Sequence, residues 1–159
     1  MRVEMLNAGW MSAPAALWRQ GDDPGQRIRF PVPAYLVETD SERILIDTGL
    51  HPGACADAAA HYGRPEVMGL FSFELDQPLH EQLDTATITR IVLTHLHWDH
   101  ADGLSLLPSS IPIVVQRREW EAGKDAGAIE RNFFFPCDYG DDEREVILVD
   151  GDHDLLGDG

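Results

Sequence analysis

TRIVLTHLHWDHADG, residues 89–103, decides how this chain is read. Its first part, Thr89 to His95, is an apolar run with β-branched residues, the pattern of a buried central strand. Its second part places His95, His97, Asp99 and His100 within six consecutive positions. Imidazole nitrogen and carboxylate oxygen are ligands for zinc and similar divalent ions. In extended backbone, residues i and i+2 project to the same side, so His95 and His97 can reach one ion. The chain then turns into a short helix at ADGLSLLP, residues 101–108, and the turn carries Asp99 and His100 to the far side of that ion. A second ion fits there, so the spacing suits a pair of metals better than one ion holding all four groups. The bland alternative is a solvated, His-rich loop. Placement directly after a buried strand favours chemistry, because active-site residues concentrate on strand-end loops.

Outward from this stretch, the sequence mixes hairpin strands with strand–helix alternation. VPAYLVET (32–39) and RILIDTG (43–49) read as two strands joined by a turn at TDSE, with Pro31 and Pro33 placing the start of the first near a sheet edge. Helices are expected at 52–63, with Pro52 at the start and Gly63 as the stop, at 77–85, and at 117–123. Further strands are expected at 111–116 and over REVILVDGD, 144–152. Together they predict α/β layers around a mixed sheet. GDDPGQ (21–26) reads as a loop, and Gly157, Asp158 and Gly159 as a turn leading into a further element, so the fold reads as cut short.

The 159 residues suit a single domain with a real core, and 43 % hydrophobic residues suit a folded chain. With 28 acidic against 12 basic side chains the formal net charge is −16, which repels nucleic acid and anionic membranes. A neutral or cationic small substrate, or a metal, fits that charge. No apolar run approaches the roughly 20 residues of a membrane span. Glu4 and Asn7 break the N-terminal stretch where a signal peptide would be apolar, so it reads as mature structure. Cys55 and Cys137 read as free thiols in a reducing compartment, which makes the cytoplasm the expected location.

THLHWDHADG resembles the HxHxDH signature of the metallo-β-lactamase superfamily, whose members hold one or two zinc ions between two αβ layers. PAYLVETDSERILIDTGL is similar to the hairpin and Asp-Thr-Gly turn that precede the signature, and IPIVVQRREWEAG to the strand and helix after it. The combination is most similar to the N-acyl-homoserine lactonase branch, the quorum-quenching lactonases. The resemblance implies the N-terminal part of an αββα sandwich, a single domain over 1–159 lacking its C-terminal portion. It implies His95 and His97 as ligands of one zinc and Asp99 and His100 as ligands of the other. Asp47 of the Asp-Thr-Gly turn would orient a ligand histidine, its alternative being a turn residue that caps its own backbone. Trp98 would stiffen the loop by packing. Asp102 stands where this branch often has glycine, a departure that bears on the substrate. The family's third histidine, from a GHTPGH-like loop, its bridging aspartate and its final histidine have no counterpart in residues 1–159. His153 precedes the expected position, in an acidic turn, and His51, His61 and His80 read as surface or packing residues.

The implied activity is a zinc-dependent hydrolase that opens a lactone ring, with metal-activated hydroxide attacking the carbonyl and Asp99 orienting it and helping to move its proton. Trp10, Met11 and Trp18 are candidates to line an apolar acyl pocket or, equally, to pack in the core. The alternatives are another hydrolase of the same fold, such as a glyoxalase II-like thioesterase, or a catalytically silent half-domain that binds metal weakly. A layer left uncovered predicts association into homo-oligomers.

Overall fold

The computed structural model describes every residue except Asp22, Pro24, Asp141, Asp142, Asp158 and Gly159. Two residues of the 21–26 loop and two of the closing turn therefore lie outside the described residues, leaving Gly157 of that turn at φ +73°.

The described chain forms a mixed sheet in the order β4-β1-β2-β3-β5-β6-β7. Strands β1 (Arg2–Pro14), β2 (Arg27–Glu38), β3 (Arg43–Ile46) and β4 (Ser72–Glu74) pair antiparallel. Strand β5 (Arg90–Leu93) then lies parallel to β3, β6 (Ile113–Gln116) to β5, and β7 (Val146–Val149) to β6. The parallel half is reached through helices: α1 (Pro52–Tyr62), α2 (Pro65–Met68) and α3 (Leu79–Gln82) before β5, and α4 (Trp98–Ala101) before β6. Helices α5 (Arg117–Ala122) and α6 (Ala126–Asn132) precede β7.

Register shows which face is the core. Leu36, Leu45, Ile91 and Ile113 stand opposite one another across four strands, each at most 2 % exposed. Each such side chain stabilises the fold by about 2 kcal/mol on burial. The helices supply Tyr62, Met68, Leu79, Trp98, Ala101 and Trp120 to the same cluster. On the other face Met5 and Val3 are 70 % and 59 % exposed, opposite Tyr35 and Val37. Leu155 and Leu156 lie over Val37, Ile44 and Ile46 on that face, with the exposed His153 beside them.

Several elements differ from expectation. The helix expected at 77–85 is one turn, because Leu83 is already extended. Gln82 instead donates to the carbonyls of Asn7 and Gln77. The strand expected at 43–49 ends at Ile46, and the last strand is confined to Val146–Val149. The N-terminal stretch is a long strand, β1, that no sequence pattern announced. Its register slips between Asn7 and Trp10, and the bulge breaks the alternation that would have marked it. Pro31 and Pro33 lie inside the sheet, but in the half of β2 that pairs with β1 only, so the missing N–H groups cost no ladder bond on the β3 side. Helix α1 ends at Gly63 as expected, in the left-handed conformation at φ 70°.

Candidate metal centre

Strand β5 ends at Leu93, and the signature follows at its C-terminal end. Leu96 is fully buried and points into the core, while its neighbours His95 and His97 are only partly buried. The alternation brings the two imidazoles together, with ring centres 4.7 Å apart. Helix α4 then lifts Asp99 and His100 into the same place, the His100 ring 4.0 Å from that of His95 and its Nε2 3.4 Å from Asp99 Oδ2.

The Asp-Thr-Gly turn after β3 braces this loop. Thr48 donates to the His100 carbonyl from its amide at 2.7 Å and from its hydroxyl at 2.9 Å. Gly103 donates to the Gly49 carbonyl at 2.9 Å, and a Cβ on Gly103 would lie 2.3 Å from the Thr48 oxygen. Gly49, at φ +70°, passes so close to β1 that a Cβ would meet that of Ala8 at 2.2 Å. Asp47 is itself left-handed, at φ 61°, a conformation aspartate tolerates better than most residues. The bend turns its carboxylate away from the strand, toward Thr94 and His100. Oδ1 accepts the Thr94 amide at 2.8 Å, and Oδ2 lies 2.8 Å from the Thr94 hydroxyl and 2.7 Å from His100 Nδ1.

These bonds assign the imidazole nitrogens. His100 Nδ1 donates to Asp47, so Nε2, 3.4 Å from Asp99 Oδ2, is the nitrogen that a metal would take in exchange for its proton. The Thr94 hydroxyl gives its proton to Asp47 and so accepts from His95 Nδ1 at 3.0 Å, leaving His95 Nε2. His97 Nε2 donates to the Asn132 carbonyl at the end of α6 at 2.9 Å, leaving Nδ1. One nitrogen per ring is left for a metal, on His100 once its Nε2 proton is displaced, and three such nitrogens beside a carboxylate fit a zinc-type ion.

Electrostatics separate the members. Burial lowers the His95 pKa, and His100 and His97 add to the effect. Burial opposes a charged His100 too, but the hydrogen bonds to Asp47 and Asp99 prevail and raise it to about 9. Burial works against an ionised Asp99, yet the bond to His100 outweighs it and holds this carboxyl below its usual range.

Around the cluster, Trp98 is buried against Tyr62, Phe71 and Phe135, and Phe134 lies 5.4 Å from the His97 ring. Met11 is core. Trp10 stacks under Arg29, and Trp18, about half exposed, meets Phe30 and Phe71 at the rim.

A second polar cluster was not legible in the sequence. Asp102, 2 % exposed, accepts the His51 amide at 2.9 Å and the Tyr62 hydroxyl at 2.6 Å on Oδ2, and pairs through Oδ1 with His61 Nε2 at 2.7 Å. Asp138, 4 % exposed, faces it, and burial together with Asp102 pushes its carboxyl up to about 8. The expectation of His61 as a surface or packing residue is therefore corrected: its partner is a buried carboxylate 41 residues away. His51 caps α1 through its side chain and stacks on His61.

Among the described residues, no helix is long and apolar enough to cross a membrane. Cys55 and Cys137 are free thiols.

Comparison with known proteins agrees with this architecture. The N-acyl homoserine lactonase AiiA of Bacillus thuringiensis subsp. kurstaki is 32 % identical over 142 residues, a match covering 84 % of this chain and 53 % of the lactonase. The chain thus spans about half the length of that relative. The fold matches a B. thuringiensis AiiA variant bearing N-decanoyl-L-homoserine at its active site, with a TM-score of 0.80 at 23 % identity, covering 98 % of this chain and 62 % of that one. It also matches AidC, a dizinc quorum-quenching lactonase in complex with a product, with a TM-score of 0.63 at 18 % identity, covering 97 % and 60 %. The sequence model of the metallo-β-lactamase superfamily matches residues 27–159. Signature, brace and sheet order are the parts of one inherited frame, and the chain belongs to the metallo-β-lactamase superfamily.

Proposed function

We propose that this chain carries part of the metal centre of a zinc-dependent hydrolase that opens N-acyl-homoserine lactones. The carrying observation is the set of three imidazoles and one carboxylate gathered after β5, each ring held from outside the set through one nitrogen and turning the other toward the set. The lactonase names of the relatives support the substrate class.

On this reading His95 and His97 hold one ion, Asp99 and His100 the other, and each site takes further ligands. Zinc bound there supplies Lewis acidity, bringing the ionisation of water toward about pH 7 and polarising the lactone carbonyl. Asp99 stays ionised, ready to orient the attacking water and take its proton. Asp47 fixes the His100 tautomer and so the direction of its open nitrogen.

The test is hydrolysis of N-acyl-homoserine lactones by the complete protein, with and without a chelator. Lactone opening that stops on chelation and returns with zinc is expected. Chelator-resistant hydrolysis contradicts the mechanism, and preference for glutathione thioesters moves the assignment to a thioesterase.

A further inference from the structure

The buried cluster beside the signature has the chemistry of a site in its own right. Donor atoms of His61, Asp102 and Asp138 all lie within 4.8 Å of one another. Both carboxylates are at least nine-tenths buried, at 2 % and 4 % exposure. Asp138 Oδ2 is buried and accepts no hydrogen bond. Among the described residues, the only ion pair to either carboxylate comes from His61. Burying two facing carboxylates with one imidazole between them is costly unless a positive charge joins them.

We propose that His61, Asp102 and Asp138 bind a single divalent transition-metal ion, separate from the signature cluster. One imidazole and two carboxylates are a borderline-to-hard donor set that suits zinc or manganese. Ligand atoms bound tetrahedrally to one ion at about 2.1 Å stand about 3.4 Å apart. The 2.7 Å between His61 Nε2 and Asp102 Oδ1 would open by about 0.7 Å as the ion replaces their shared proton. The outer bonds are already in place: Tyr62 and the His51 amide hold Asp102 Oδ2, turning Oδ1 toward the imidazole. His51 stacks on His61 with ring centres 4.8 Å apart and planes 11° from parallel, which fixes the ring. His61, 22 % exposed, forms the solvent side. Asp138 also borders a cavity of about 440 Å³ with Ser105, Cys137 and Glu143 on its wall.

The experiment is a zinc titration of the protein with both His95→Ala and His97→Ala, followed by calorimetry and thermal melting. One saturable equivalent and a raised Tm are expected in that background. Adding His61→Gln, on the solvent side, or Asp138→Asn, which keeps the shape and removes the charge, should weaken uptake at least about ten-fold. Should the double variant not fold, the same titration of the otherwise unaltered protein against its His61→Gln variant is expected to show one fewer equivalent. Absence of saturable zinc uptake overturns the proposal, as does uptake that neither substitution changes. A metal-free Tm raised by Asp138→Asn without any zinc uptake also overturns it, because the two carboxyls then share a proton in place of an ion.

Discussion

Asp99 and Asp138 are both largely withdrawn from solvent, and their carboxyls shift in opposite directions. Burial raises the pKa of each. Asp99 faces His100, a group that holds a proton, and ends below the ordinary range. Asp138 faces Asp102, a second carboxylate, and ends at about 8. The neighbour, more than the depth, decides whether an aspartate in the metal-free protein is ready to act as a base or holds a proton. The two clusters differ in origin as well. The signature draws its donors from one six-residue stretch held by a brace, whereas Asp102, His61 and Asp138 come from three separate segments.

The comparison is most strongly tested by removing one group from each side. His97→Ala is expected to abolish metal-dependent turnover in the complete protein while leaving the melting temperature nearly unchanged, since His97 is partly exposed. Asp102→Ala should do the reverse. It strands the Tyr62 hydroxyl, the His51 amide and the His61 imidazole, and the expected cost is about 3–5 kcal/mol in denaturant unfolding. If His97→Ala unfolds the protein, or Asp102→Ala leaves its stability untouched, the division between the two clusters fails.

Asp47→Asn sharpens the contrast further. An amide can present its N–H to His100 Nδ1 and so reverse the tautomer, and zinc affinity should fall about 10–100-fold with a smaller change in stability. Equilibrium dialysis reads that loss. Unchanged affinity would remove Asp47 from the centre.

The smallest expected effect is a pH dependence, and the two clusters predict separate windows for the metal-free protein. His100 has a folded pKa of about 9 against an ordinary 6.5. Its stabilising contribution is full below about pH 6.5 and lost as pH rises through about 9. Asp138, raised from 3.8 to about 8, binds its proton more tightly folded than unfolded, so its contribution declines between those values. Melting temperature should therefore fall with rising pH across both ranges. Asp138→Asn should flatten the lower window and Asp47→Asn the upper. A stability that rises with pH from 5 to 8 would contradict both assignments.

What the sequence discloses follows the same contrast. The signature is legible because its four residues fall within six consecutive positions and follow an apolar run. The β2–β3 hairpin and the Gly63 stop are legible because local turn chemistry sets them. Strand β1 hides behind its own bulge at Asn7–Trp10, which shifts the phase of Leu6, Ala8, Met11 and Ala13. Helix α6 is short and contains Gly127, so it carries little helical signal, yet its last carbonyl holds His97. The Asp102 cluster depends on tertiary contact. In the sequence Asp102 stands out only through the family resemblance, as a departure from glycine, and only the fold brings His61 and Asp138 to it.

The central claim is that residues 95–100 hold metal. Crystals of the protein grown with zinc, measured on both sides of the zinc absorption edge, test it directly. The account predicts anomalous peaks beside the open nitrogens of His95 and His97 and between Asp99 and His100. A map with zinc elsewhere and nothing at these four side chains would contradict it.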